Sequence, residues 1–199
     1  MCKLICVTNR RLVKGDFLWQ IEKIAAAKPD SILLREKDMP PAEYAALAGD
    51  VMALCTRYGV KCILHSHPAD GGKALHLPLP VLREKASELQ GIFQVLGASC
   101  HSVDEAREAV SLGADYIIAG HIFATDCKRG LPGRGLDFLR NIVQSVDVPV
   151  YAIGGISPEN AGAVIQAGAS GVCVMSSLME SDDPAAEIKA LRRAMEHEA

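Results

Sequence analysis

Short apolar runs alternate with amphipathic stretches from one end of the chain to the other. The runs at residues 4–7, 32–34, 62–64, 74–77, 94–98, 116–119, 148–153 and 172–174 predict buried strands of a parallel sheet. After the first run, Phe17, Leu18, Ile21, Ile24 and Ala25 repeat at helical spacing; after the second, Tyr44, Leu47, Ala48, Val51, Leu54 and Cys55 do the same. Pro41, Pro158 and Pro184 suit first turns of helices, and Ser102-Val103-Asp104-Glu105 has the form of a capping box. Eight strands, most followed by a helix, predict an α/β protein: a compact single-domain (β/α)8 TIM barrel over residues 1–199. An open doubly wound sheet is the alternative. The fourth unit is the weakest, because Pro78 and Pro80 leave its strand little room.

An internal echo supports the repeated strand–helix design. Gly113-Ala114-Asp115-Tyr116-Ile117-Ile118 aligns with Gly168-Ala169-Ser170-Gly171-Val172-Cys173 fifty-five residues later. Each reads as a glycine ending a helix, followed by a buried strand. In that register His121 falls opposite Ser176, both just past the carboxyl end of a strand, which in a barrel is the end that carries chemistry. No linker, low-complexity tract or second domain is visible.

Composition narrows the classes of function. The chain is 49% hydrophobic and 23% charged, with a formal charge of −3. That balance argues against nucleic acid or an anionic membrane as partner, since both select a basic face. No apolar run approaches the ~18 residues of a membrane span, and the first seven residues are too short and lightly charged for a signal peptide. The seven cysteines are odd in number and lack a C-x-x-C spacing, which predicts reduced thiols in a cytoplasmic protein. Cys2 and Cys6 share one strand face, where a metal or a disulfide is the minor alternative.

Three segments hold candidate chemistry. Arg35 and Lys37 end the second strand at spacing two, so one face carries two cations able to hold a carboxylate or phosphate; a solvated loop edge is the other possibility. Gly154-Gly155 leads from the seventh strand to a helix, and Met175-Ser176 follows the eighth. In barrels these two loops often hold a phosphate, although Gly-Gly alone also fits a plain tight turn. The stretch 120–135 is a long glycine-rich loop that opens with His121, the side chain best placed to exchange a proton near neutral pH; a structural histidine is the alternative. His65-Ser66-His67 and His101 lack a third metal ligand at usable spacing, and no inferred step requires Cys127 as a nucleophile. Asp126, Lys128 and Arg134 are compatible with salt bridges within the loop.

Taken together, these segments are similar to a known family. Leu34-Arg35-Glu36-Lys37, Gly97-Ala98-Ser99-Cys100-His101-Ser102, the loop 120–135, Ala152-Ile153-Gly154-Gly155-Ile156 and Gly171-Val172-Cys173-Val174-Met175-Ser176 resemble the thiamine phosphate synthase/TenI superfamily, over nearly the whole chain. The resemblance implies a (β/α)8 barrel acting on a phosphorylated thiazole, a small-molecule partner, and a homo-oligomer. Its synthase branch carries an Asn-Asp pair after strand three and a further Asp after a His-Leu-Gly-Gln segment, which help to hold magnesium and pyrophosphate. Here those places read His65-Ser66 and His76-Leu77-Pro78-Leu79-Pro80. The form His-Ile-Phe-x-Thr-Asp-Cys-Lys from His121 looks like TenI-type thiazole tautomerases. It implies an isomerase without metal or other cofactor, in which His121 moves a proton. By the same resemblance Arg35 and Lys37 hold the carboxylate, while Ser99, Thr125, Cys127, Lys128, Gly154, Gly155, Met175 and Ser176 line the rest of the substrate. A thiamine phosphate synthase, a transferase using a pyrimidine pyrophosphate, and a non-catalytic regulator that binds thiazole or thiamine phosphates are the alternatives.

Overall fold

The computed structural model describes residues 2–89, 91–125 and 130–196. Eight strands, β1 (Lys3–Val7), β2 (Ser31–Leu34), β3 (Lys61–His65), β4 (Ala74–Pro78), β5 (Val95–Cys100), β6 (Tyr116–Gly120), β7 (Val150–Ile153) and β8 (Gly171–Val174), pair in parallel in chain order. β8 returns to β1, with Leu4 opposite Val172, so the sheet is a closed barrel and the open sheet is excluded. Helices α1 (Phe17–Ala26), α2 (Pro41–Tyr58), α3 (Leu79–Leu89), α4 (Val103–Ser111), α5 (Gly135–Val143), α6 (Pro158–Gln166), α7 (Ser176–Met179) and α8 (Pro184–Glu196) complete the chain. The link from β3 to β4 carries no helix.

The continuous apolar runs follow from burial on both strand faces. Ile5, Val7, Leu33, Ile63, Tyr116, Ile118 and Cys173 fill the barrel, while Leu4, Cys6, Ile32, Leu34, Leu64 and Leu77 pack beneath the helices. Helix starts match their signals in part. Pro41, Pro158 and Pro184 each open a helix. At α4 the Ser102 hydroxyl accepts from the Glu105 amide, but Glu105 reaches back to the His101 N–H, one residue before the expected partner. Gly113 and Gly168, the two halves of the internal echo, both have left-handed φ, 92° and 95°.

β4 corrects the doubt about the fourth unit. It pairs with β5 over five positions, ending with Pro78 opposite Ser99. Its ladder with β3 stops at His65 opposite His76, so the missing Pro78 N–H interrupts nothing on that side, and Pro80 falls in the first turn of α3. Two buried side chains fasten the outer layer through polar contacts that helical periodicity does not reveal. Gln20 of α1 donates from Nε2 to the carbonyls of Leu178 and Ser181 at 2.8 and 2.9 Å. The Tyr44 hydroxyl of α2 donates to the Leu34 carbonyl and accepts from the His65 N–H, joining the ends of β2 and β3.

The described cysteines are free thiols, Cys2 and Cys6 included. Burial pushes the Cys6 and Cys173 thiols far up and that of Cys100 up to about 12, which keeps them protonated and inert. No helix among the described residues is long and apolar enough to cross a membrane.

Candidate active site

All eight strands point their carboxyl ends at one cavity of about 520 Å³. Of the residues singled out from sequence, Arg35, Lys37, Ser99, His121, Thr125, Gly154, Gly155, Met175 and Ser176 line it. Cys127 and Lys128, like Asp126, lie outside the described residues.

Strand alternation builds one half of this mouth from side chains. With Leu33 inside the barrel, Arg35 and Lys37 also face inward and Glu36 faces the wall. Glu36 is 3% exposed and accepts from the Thr8 hydroxyl at 2.7 Å, from the Arg10 N–H at 3.1 Å and from the Arg10 guanidinium at 3.2 Å. The Thr8 oxygen in turn accepts from the Arg35 N–H, so the strand end carrying both cations is held to β1. Arg10 also clasps Asp38, and that guanidinium holds the Asp38 carboxyl down at about 2.

Beside the cations lies a network of imidazole and hydroxyl groups. His76 is 1% exposed; its Nδ1 is 3.1 Å from the Tyr116 hydroxyl and its Nε2 is 2.8 Å from Ser99 Oγ. The Tyr116 ring stacks on His76 and crosses the space above Gly97, where a Cβ would lie 2.0 Å from Tyr116 Cζ. Position 97 therefore has to lack a side chain for the phenol to reach His76. His65 sits 5.9 Å from His76, ring to ring, with Nδ1 2.9 Å from Ser66 Oγ. Burial, then the charges of Arg35 and Lys37, push the His65 imidazole down to about 3; burial, then His65 and Arg35, keep His76 neutral as well. His67 packs on Tyr44 instead of facing the cavity. His101 does face it, with Nδ1 2.8 Å from the Gly120 carbonyl, which fastens β5 to β6.

The other half of the mouth is built from backbone. The Ile122 and Phe123 amides donate to the Ile153 and Gly154 carbonyls at 2.9 and 3.0 Å, laying the loop after β6 on the loop after β7. Gly155 has φ of 63°, and a Cβ there would meet the Ala124 carbonyl oxygen at 2.3 Å. The glycine pair is thus required for loop-on-loop packing. Asn160 accepts from the Ser157 N–H and donates to the Gly155 carbonyl, which fixes the turn into α6. His121 lines the cavity, but its Nε2 lies 3.0 Å from the Pro132 carbonyl, and its own carbonyl accepts from the Arg134 N–H. The imidazole therefore closes the long loop on itself. Arg134 sits over the Phe138 ring and not in the mouth.

Sequence reasoning had not brought His76, Tyr116 and Gly97 together. The alternation Leu75, His76, Leu77 was the available signal, since it turns the histidine inward between two outward leucines.

Comparison with known proteins overturns one expectation. A thiamine-phosphate synthase of Pyrococcus horikoshii is 33% identical over 203 residues, covering 98% of this chain and 95% of its own. One from Moorella thermoacetica is 40% identical over 179 residues, covering 83% and 81%. The solved thiamine phosphate pyrophosphorylase of Pyrococcus furiosus superposes with a TM-score of 0.85 at 30% identity, covering 98% and 96%. These relatives contradict the assignment to the tautomerases and, with it, the isomerase role given to His121. The tautomerase-like features are single positions in the mouth, whereas the similarity to synthases runs through the whole barrel. The family profile described as thiamine monophosphate synthase matches residues 4–178, and the chain belongs to that family.

Proposed function

We propose that the protein is a thiamine-phosphate-synthase-type transferase that joins a pyrimidine, carried as its pyrophosphate, to a phosphorylated thiazole. One observation carries this reading. A chain similar to synthases along nearly its full length divides its anion-binding candidates between Arg35 and Lys37 after β2 and the Gly154-Gly155 and Met175-Ser176 loops after β7 and β8, all lining one cavity. Two anionic groups, one per substrate, match that division. The cations attract the pyrophosphate and offset the charge that grows on it as it leaves. The glycine loop and Ser176 suit the thiazole phosphate, as the loops after strands seven and eight do in many barrels. Ser99 and Thr125 add hydroxyls to the same cavity, and Leu33, Ile118 and Ile153 present apolar surface to the rings.

The magnesium that the synthase resemblance implies does not fit the described residues. No group of three His, Cys, Asp or Glu side chains there is arranged to hold a metal ion. Glu36 and Asp38 are committed to Arg10, and the ends of β3 and β4 present His65-Ser66 and Pro78. The roles proposed here therefore rest on the chain's own cations and donors. That same departure favours a second reading, a regulator that binds a thiazole or thiamine phosphate without turnover. The test is to supply both substrates, with and without magnesium, and follow thiamine phosphate and pyrophosphate by NMR. Stoichiometric appearance of both supports the transferase; binding without either product supports the regulator.

A further inference from the structure

We propose that Tyr116, from inside the barrel, fixes the tautomer of His76 and thereby makes the Ser99 hydroxyl a hydrogen-bond donor aimed at an anionic oxygen of the ligand. This deepens the reading above and rests on the mouth being the place where a phosphate or pyrophosphate binds. The starting point is the Tyr116 hydroxyl. Tyr116 is 5% exposed, and among the described residues the hydrogen-bond partner of its hydroxyl is His76 Nδ1, at 3.1 Å. Burial holds the phenol protonated, and burial with nearby positive charge holds the imidazole neutral. A neutral imidazole carries one proton. If it sat on Nδ1, the phenol oxygen would accept from it and the buried phenol O–H would be left without an acceptor, which buried polar groups rarely are.

The proton therefore belongs on Nε2, and the phenol donates to Nδ1. Nε2–H then donates to Ser99 Oγ at 2.8 Å. Ser99 lines the cavity, and its own hydrogen has no place toward His76, so it turns into the mouth. The other tautomer would consume the serine hydrogen on Nε2 and offer the cavity only oxygen lone pairs, which repel an anion. Gly97 belongs to the same device, because a side chain there would occupy the position of the Tyr116 ring. Tyr116 and His76 are positioning residues; Ser99 is the group that touches ligand.

The experiment uses the full chain labelled with ¹⁵N-histidine, without ligand, at neutral pH. Two-bond ¹H–¹⁵N correlation reads the tautomer of His76, whose signal is assigned by its loss in His76→Gln. The expected result is a proton on Nε2, with Tyr116→Phe shifting His76 toward the Nδ1–H form. Titration with inorganic pyrophosphate should show about tenfold weaker binding in Ser99→Ala and a smaller loss in Tyr116→Phe. A wild-type His76 protonated on Nδ1, a Tyr116→Phe spectrum with the tautomer unchanged, or Ser99→Ala binding pyrophosphate like wild type overturns the proposal. If Tyr116→Phe does not fold, the wild-type spectrum and Ser99→Ala decide it. Failure of the functional reading is separate: it appears as absence of thiamine phosphate while the tautomer and the Ser99 effect persist.

Discussion

The two halves of the barrel mouth reach a similar end by different means. From β2 to β5 the cavity wall is made of side chains: Arg35, Lys37, His65, His76 and Ser99, each turned inward by strand alternation. From β6 to β8 its shape is set by main chain, with the loops after β6 and β7 hydrogen-bonded to one another and glycines where they touch. A wall of side chains can be retuned one residue at a time without moving its strands. A wall of backbone holds geometry, and a change there displaces several groups together. The comparison teaches where this family member is free to differ from its relatives. Of the departures from the synthase pattern that the sequence resemblance implies, those at His65-Ser66 and after His76 lie on the side-chain half, and the one at His121 lies on the backbone half.

The sharpest way to break the comparison is on the cationic wall. Arg35→Ala should lower kcat/KM for thiamine phosphate formation by at least about 100-fold, the usual scale for removing a group that stabilises developing charge. The fold should be retained, since Glu36 and Thr8 still tie β1 to β2. Circular dichroism alongside the kinetics checks both halves of that statement.

On the backbone wall, Gly155→Val should weaken binding of a thiazole phosphate by at least about tenfold, or ~1.4 kcal/mol. Its melting temperature should fall as well, because the new Cβ strikes the Ala124 carbonyl and the valine must hold a left-handed φ. Calorimetric titration and a thermal melt read the two effects. Unchanged affinity in a folded variant would remove this loop from the site.

The buried imidazoles give a third contrast, in stability. His65 and His76 are neutral in the folded chain but titrate near 6.5 once unfolded, so the unfolded state binds more protons as pH falls below that value. Stability should therefore drop between about pH 6.5 and 3, with a limiting slope of about 1.4 kcal/mol per pH unit for each histidine. Denaturation midpoints from pH 7 to 5 measure it, and His65→Gln should flatten the curve.

The smallest effect is expected at His121. Its imidazole secures the long loop through the Pro132 carbonyl, so His121→Asn should cost less than about tenfold in coupling rate, below the range of a lost acid–base group. A loss of several hundred-fold in a folded variant would restore a proton-transfer role to this residue.

Legibility from sequence divides along the same line. Arg35 and Lys37 were readable because period two extends from Leu33, and the strand–helix rhythm specified the barrel. Glu36, read from sequence only as the residue between two cations, turned out to be the buried clasp on Thr8 and Arg10. His76 obeyed the same alternation, but the prolines after it disguised β4, and its partners Ser99 and Tyr116 come from other strands. The contact between His121 and Pro132 has no periodic signature, since its partners lie eleven positions apart in a loop. The choice between isomerase and transferase failed for a related reason. A residue type states what chemistry is available at a position, not which second substrate the mouth receives.

The central claim is most directly tested by one NMR experiment on the purified full chain with a thiazole phosphate and a pyrimidine pyrophosphate. The account predicts thiamine phosphate and pyrophosphate accumulating in equal amounts, and both falling away in Arg35→Ala. Substrates that bind and remain unchanged would contradict it.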